Sequence, residues 1–402
     1  MKNQLTVAII GCGSFACKWV PLFKAHPLVK KVYVCDIIPE RAQDYSKQFD
    51  VEIIESLDAA LARPDIDCIA NFTQRHLHGE VVIKSLKAGK NVYSAVPMAS
   101  TVEECQEIVA LVKEKKLIYM MGETCYYYPC AMFCREAYAE GKFGDFTYGA
   151  SQYYHHIDSI SYGKRPGEGG MPPLLYSTHS TGMILSAANS YATKVTCFGY
   201  KDKTNDGRFG VGNNYWDNEY SNQYVLMELA NGGVARVSEA RTFAWVKPSS
   251  YISAMYGTEG SYECSNAQHI FVKKVFFDGE DEQIELTDVS DYINPSEAVA
   301  NKNHPDFKNQ FANGHWQHGS TAAVQQKEID RLPKEFEGLE DGHNGTHKLL
   351  VDDFCKAAYN QVQPVLNAWV AARYTIPGLV AIDSLNQGSI PLDVPDCGEC
   401  EL

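Results

Sequence analysis

The sequence predicts an α/β chain: an N-terminal Rossmann domain with a doubly wound sheet, then a C-terminal α/β domain built on a large open, mainly antiparallel sheet. Three observations predict it. An apolar run, Leu5 to Ile10, passes directly into "GCGSFA". Short apolar runs then alternate with helix-compatible segments to about residue 124. From Glu123 onward the strands lengthen, become rich in aromatics and alternate with period two.

The elements follow in order. Leu5 to Ile10 reads as a strand buried on both faces, and "GCGSFACKWVPLF" opens a helix. Gly11 makes the tight turn, Gly13 lets backbone approach a pyrophosphate, and Ala16 permits close packing of helix on strand. Ser14 and Phe15 lie between them in the same cofactor-binding turn. The second strand, "KVYVCD", ends at Asp36, spaced from the glycines so that its carboxylate accepts hydrogen bonds from the adenosine ribose and repels a 2′-phosphate. NAD is therefore expected over NADP. "CIANFTQRHLH", "NVYSAVP" and "LIYMMGE" continue the alternation, which places a first domain at 1–124 and a second at 125–402. In the second, "DFTYGASQYYHH" and "EYSNQYVLMELANGGVARVSEA" read as strands, the latter folded back at Asn231-Gly232-Gly233. "SYGKRPGEGGMPP" reads as a loop and the acidic "QQKEIDRLPKEFEGLEDG" as a solvated surface segment. Helices resume at "HKLLVDDFCKAAY" and "AWVAARYTIPGLVAIDSL" and are expected to pack back on the first domain.

The 402 residues carry 36 basic and 50 acidic side chains, a net charge of −14, which gives no electrostatic reason to approach nucleic acid or anionic lipid. There is neither a signal-peptide pattern nor an apolar run of membrane-spanning length, so a cytoplasmic protein is expected. The 13 cysteines are odd in number and scattered, which argues against a disulfide framework. Cys125, Cys130 and Cys134 lack paired metal-binding spacing and Cys397 and Cys400 lie on the tail, so they read as buried or incidental thiols with no metal.

With "GCGSFA", the segments "FTQRHLH" at 72–78, "AGKNVYSAVPMA" at 88–99, "GDFTYGASQY" at 144–153 and "YSTHSTGMIL" at 176–185 make the chain resemble the Gfo/Idh/MocA family over nearly its whole length. That family comprises NAD(P)-dependent sugar oxidoreductases. The resemblance implies a small-molecule sugar or glycoside as partner, and a homo-oligomer formed through the open sheet. Where such proteins usually read Glu-Lys-Pro, with the lysine on the reacting hydroxyl, this chain has Ala95-Val96-Pro97. Tyr176 and Gly182 replace the aspartates usual on either side of the later histidine. In both respects the chain is similar to the NAD-dependent glycoside hydrolases typified by α-N-acetylgalactosaminidases, which carry Tyr-x-x-His. That likeness implies Tyr176, His179 and Glu123 as catalytic residues, and His343 and His347 in "GHNGTHKLLVDDF" as substrate-binding ones. It also implies Thr73, His78, Ala95 and Pro97 around the cofactor, with Thr73 the better contact, His78 partly a packing residue and Val96 an apolar wall. Of His155 and His156, successive on a strand, at most one lines a cleft.

Such a hydrolase oxidises the sugar 3-hydroxyl, which acidifies the proton on carbon 2, then eliminates the leaving group, adds water and reduces the carbonyl. The cycle needs a base for the hydroxyl proton, a base for the carbon-bound proton and an acid at the leaving oxygen. Tyr176 and His179, three apart at a helix start, would project toward one cavity. Two alternatives stay open: a simple sugar or cyclitol dehydrogenase using His179 as base, and a non-catalytic NAD or sugar sensor.

Overall fold

Leu5–Ile10 forms β1, and all six residues are buried, as a strand covered on both faces must be. In the computed structural model, residues 4–155, 167–242, 250–264, 269–275, 283–289, 324–340, 342 and 345–402 are described. His156 and His343 lie outside them, as do residues 161–166, the first part of the loop read from "SYGKRPGEGGMPP". The chain divides into two units, the first comprising Met1–Glu123, Gln326–Ile376 and Asp396–Leu402, the second Thr124–Gln325 and Pro377–Pro395.

The first unit holds a six-stranded sheet in the order β3-β2-β1-β4-β5-β6, every pair parallel. Its other strands are β2 (Val29–Cys35), β3 (Glu52–Ile53), β4 (Cys68–Asn71), β5 (Asn91–Ser94) and β6 (Tyr119–Met121). The order reverses between β1 and β4, the place where doubly wound sheets take their ligands. Helices α1 (Val20–Ala25), α2 (Pro39–Phe49), α3 (Leu57–Ala62), α4 (His78–Lys87) and α5 (Val102–Lys115) connect the strands. Local chemistry sets their ends. Ser56 and Thr101 cap α3 and α5 by accepting from the N–H groups of Ala59 and Glu104, contacts worth about 1 kcal/mol each. The helix expected directly after "GCGSFA" is instead a 3-10 turn, Ala16–Lys18, followed by the six-residue α1. Pro21 explains the break: without an N–H it fits only in a first helical turn, so the helix restarts beside it.

Helix Thr346–Asn360 is tied into this unit by a buried contact, His26 Nε2 to Asp352 Oδ1 at 3.2 Å. The Leu28 N–H donates to His26 Nδ1, so Nε2 carries the proton and donates to the carboxylate. Arg331 and Lys356 add bonds to Asp352 Oδ2 at 3.0 and 2.7 Å. The last helix, Ala368–Asn386, contains Pro377, and the division between the units falls there. Among the described residues, no helix is long and apolar enough to cross a membrane.

The second unit holds a nine-stranded sheet in the order β14-β13-β12-β11-β7-β10-β9-β8-β15. The strands are β7 (Phe146–Tyr154), β8 (Ala192–Lys201), β9 (Tyr220–Leu229), β10 (Val234–Ala240), β11 (Ser250–Gly257), β12 (Gly260–Cys264), β13 (His269–Val275), β14 (Gln283–Asp288) and β15 (Leu392–Asp393). All pairs are antiparallel except β7 with β10. Gly232, at φ +85°, makes the turn between β9 and β10. Along β9, Val225, Met227 and Leu229 are buried while Tyr224, Leu226 and Glu228 face out. The buried face is covered by α6 (Pro129–Ala139) and α7 (Thr178–Ala187). Gly149 on β7 lets α7 lie close, since a Cβ there would stand 2.3 Å from Ile184 Cδ1.

Candidate active site

The cofactor cradle is built at the end of β1. Gly11 has φ +98°, and a Cβ on it would fall 2.6 Å from the Phe72 carbonyl oxygen, so both backbone geometry and space require glycine. Gly13 differs: no atom lies within 4 Å of where its Cβ would stand. That open hollow beside main-chain N–H groups is the feature a pyrophosphate needs. Asp36 is half-buried and is shaped by the loop itself, Oδ2 accepting from the Cys12 N–H at 2.7 Å and Oδ1 from the Ile38 N–H at 2.8 Å. The Tyr45 hydroxyl donates to the Gly13 carbonyl. Ser14 and Phe15 are exposed and Ala16 is buried, so the turn presents its tip while anchoring its base. The residues present fit a dinucleotide.

Thr73 follows β4 in a turn where its N–H and hydroxyl both donate to Asn71 Oδ1, at 3.2 and 2.8 Å. His78 is buried and bridges two loops, Nδ1 meeting the Pro97 carbonyl at 2.8 Å and Nε2 the Thr73 carbonyl at 3.1 Å. With both ring nitrogens on main-chain oxygens, His78 acts on a cofactor through the loops it holds. Ala95 and Val96 are buried, and the Val96–Pro97 peptide is cis.

His347 lies in the first unit, 1% exposed, stacked on Trp19 at 4.3 Å and edge-on to Phe15 at 5.7 Å. Its neighbours are thus an aromatic residue of the glycine loop and one of the turn that follows it. Gly342 allows this, since a Cβ there would meet the imidazole at 2.2 Å. Glu123 ends the unit just past β6 and is fully buried. Burial pushes the nearby Tyr93 phenol well above its usual range, and the charge of Glu123 adds to the effect.

In the second unit Tyr176 closes a 3-10 turn, Pro173–Tyr176, and His179 is the second residue of α7, so the pair sits across the junction rather than on one helical turn. His179 Nε2 lies 3.1 Å from the Tyr176 hydroxyl, with the rings edge-on at 88°. The imidazole accepts from the phenol when Nε2 is bare and donates to it when protonated, so the pair can pass one proton either way. His179 is only 3% exposed and Tyr176 half-buried, which leaves the phenol as the outer member.

Two further residues border this pair. Tyr153 of β7 places its ring 5.0 Å from His179, 5.8 Å from Tyr176 and 5.9 Å from His155. Cys125, in the 3-10 turn Thr124–Tyr127, brings its sulfur within 4.8 Å of a His179 ring nitrogen. The sequence carried a signal for Tyr153, whose alternation puts it on the face of Ser151 and His155. Cys125 was legible only as the second residue after Glu123.

Residues 5–123 match the oxidoreductase family with the NAD-binding Rossmann fold, Gfo/Idh/MocA. Among similar proteins, the 2,7-anhydro-N-acetylneuraminate hydratase of Escherichia coli (strain K12) is 24% identical over 64% of this chain and 67% of its own. That of Mediterraneibacter gnavus is 25% identical over 63% and 65%, so the match spans about two thirds of these relatives. A glycosyl hydrolase family 109 protein of Saccharopolyspora erythraea is 22% identical over 98% of this chain and 83% of that one. The fold is similar to levoglucosan dehydrogenase in complex with NADH and levoglucosan, with a TM-score of 0.71 at 18% identity, covering 98% of this chain and 100% of that one. The glycine loop, its open hollow, Asp36 and the match over residues 5–123 make that region an NAD-binding Rossmann domain of the Gfo/Idh/MocA oxidoreductase type, with NAD as its cofactor.

Proposed function

We propose that this enzyme cleaves glycosides by a cycle of oxidation at the sugar 3-hydroxyl, elimination, water addition and reduction. The observation that carries the reading is the Tyr176–His179 hydrogen bond at 3.1 Å, together with buried Val96 where a lysine would serve a simple dehydrogenase. The family 109 relative that aligns with 98% of the chain supports it. Gly11, Gly13, Ser14, Phe15, Ala16, Asp36 and Thr73 hold the cofactor. A bound NAD would supply the hydride acceptor, and later the hydride donor, for carbon 3.

Every other step is a proton transfer made by the chain. Tyr176 gives its own phenolic proton to His179 Nε2 as it takes the 3-hydroxyl proton, so that the buried imidazole ends as the holder of one proton, away from water. The resulting ketone acidifies the proton on carbon 2, and Glu123 is the carboxylate assigned to the remaining transfers. Ala95, Val96 and Pro97 form an apolar wall that supplies no competing proton. His343 and His347 are the remaining candidates for substrate contacts. With no disulfide among its 13 thiols, the enzyme suits a reducing cytoplasm.

A panel of nitrophenyl glycosides, read for nitrophenol and NADH in deuterated water, tests the cycle. Free sugar labelled at carbon 2, with substoichiometric NADH throughout, is the expected result. An oxo-sugar with matching NADH would establish a dehydrogenase instead. Cleavage without label would exclude elimination, and NAD binding with no turnover of any glycoside would point to a sensor.

The outer face of the large sheet supports self-association. Phe198, Tyr200, Tyr224 and Leu226 are 65%, 41%, 40% and 48% exposed, with Phe198 paired to Tyr224 and Thr196 to Leu226 across β8 and β9. A second copy packing there gives a homo-oligomer, which light scattering would detect and Leu226→Arg would dissociate.

A further inference from the structure

Glu239 at the end of β10 and Arg241 just beyond it form an ion pair, Nη2 to Oε2 at 3.0 Å, with the two side chains 0% and 3% exposed. Burying both charges is costly, and a buried pair of this kind contributes little net stability over well-packed apolar residues. What it supplies is directional bonds, and here these reach each segment that carries a site ring. Ser180, next to His179 on α7, donates its hydroxyl to Glu239 Oε1. Arg241 Nη2 donates at 3.3 Å to the carbonyl of Pro173, the start of the turn that ends in Tyr176. Arg241 Nη1 reaches the Tyr153 carbonyl at 3.4 Å, and the guanidinium lies 5.0 Å over the Tyr153 ring. Gln223 and Ser151 reinforce the same two segments, bonding Leu174 N–H and the Ser180 carbonyl at 2.8 and 2.7 Å.

We infer that the Glu239–Arg241 ion pair is a positioning element that holds Tyr176 and His179 in register for proton transfer. The inference rests on the reading of those two residues as the proton-transferring pair. Tyr176 and His179 belong to a turn and a helix that meet at a single junction, so a small slip between them breaks their bond. Both segments are gripped by one rigid anchor in the sheet.

Ser180→Ala removes the helix-side bond while leaving the ion pair, and Arg241→Lys keeps the charge but loses the fork that spans Pro173, Tyr153 and Glu239. Both are to be compared with the parent for melting, NAD titration, kcat and KM on a cleaved glycoside, and the NMR titration of the His179 imidazole, assigned with His179→Asn. The expected result is a folded protein with a lowered melting midpoint and parental NAD affinity, kcat lower by about 10- to 100-fold with KM within about twofold, and a displaced imidazole midpoint in both variants. Parental kcat and an unmoved imidazole midpoint in both folded variants would overturn the inference. Should Arg241→Lys fail to fold, Ser180→Ala decides alone. If no glycoside is cleaved by the parent, the proposed reaction fails, while the imidazole titration still decides the positioning role.

Discussion

Gly11 and Gly13 stand two residues apart in one loop, yet alanine at each should do different things. At Gly11 the backbone sits at φ +98°, which costs an alanine about 1–2 kcal/mol. Its Cβ would also press on the Phe72 carbonyl carbon and oxygen at 2.7 and 2.6 Å, main-chain atoms that cannot rotate away. A further 1–3 kcal/mol, roughly, follows from that overpacking. Gly11→Ala should therefore destabilise the protein by about 2–5 kcal/mol and also lose NAD. At Gly13 nothing lies within 4 Å of the new atom, so melting without cofactor should stay within about 0.5 kcal/mol of the parent. The methyl group would instead occupy the hollow that a pyrophosphate needs, and NAD affinity should fall about tenfold or more, the effect of losing one or two charge-assisted hydrogen bonds. Melting curves with and without NAD, and titration calorimetry, separate the two effects. Parental NAD affinity in Gly13→Ala would refute the placement of the cofactor in this loop.

Asp36 is a half-buried carboxylate at the end of β2, and a 2′-phosphate placed a few ångströms from it would cost about 1–4 kcal/mol, so NAD should bind at least about tenfold more tightly than NADP, with Asp36→Asn narrowing the ratio. Equal affinities in the parent would remove Asp36 from this role. His179→Ala should lower kcat by about 100- to 10,000-fold while leaving NAD titration unchanged, and adding Val96→Lys should not restore turnover. Steady-state kinetics on a cleaved glycoside check both. Burial opposes ionisation of Asp352, but its bonds to His26 and Lys356 win and hold its carboxyl below the ordinary value of 3.8. Its contribution to stability is therefore complete above that value and lost as pH falls through the lower, folded one. Melting midpoints should drop below about pH 4, and Asp352→Asn should flatten that limb and cost about 3–5 kcal/mol at neutral pH, read by urea unfolding.

What was legible in the sequence was whatever local chemistry encodes. The continuous apolar run of β1, the small residues after it and the acid closing β2 specify a nucleotide-binding βα unit without reference to the rest of the chain. Even there Pro21 acted against the expected helix, because a missing N–H outranks amphipathic spacing. The second sheet was legible as alternating strands but not in its order. β7 lies between β11 and β10, with its one parallel partner 80 or so residues away in sequence, as Ser151 opposite Val237 shows. His26 with Asp352, and Trp19 with His347, are likewise joined only by the folded chain. His347, a histidine in a suggestive motif, is stacked on the ring of Trp19, a neighbour that no spacing in the sequence announces.

The same limit governs the candidate site. Tyr176 and His179 announce themselves by spacing, whereas Tyr153 is one of 24 tyrosines and gains meaning only from the two rings beside it. Glu239 and Ser180 are 59 residues apart and would each pass as an ordinary strand or helix residue. Gly149 carries no motif at all. Yet the distance from β7 to α7 depends on its missing side chain, because Ile184 fills the space that a Cβ would take. A larger residue there would lift the helix that carries His179 away from the strand that carries Tyr153. The geometry of the pair is thus set by residues whose types say nothing of catalysis, which is why an intact Tyr-x-x-His motif indicates the chemistry but not whether the chain can perform it.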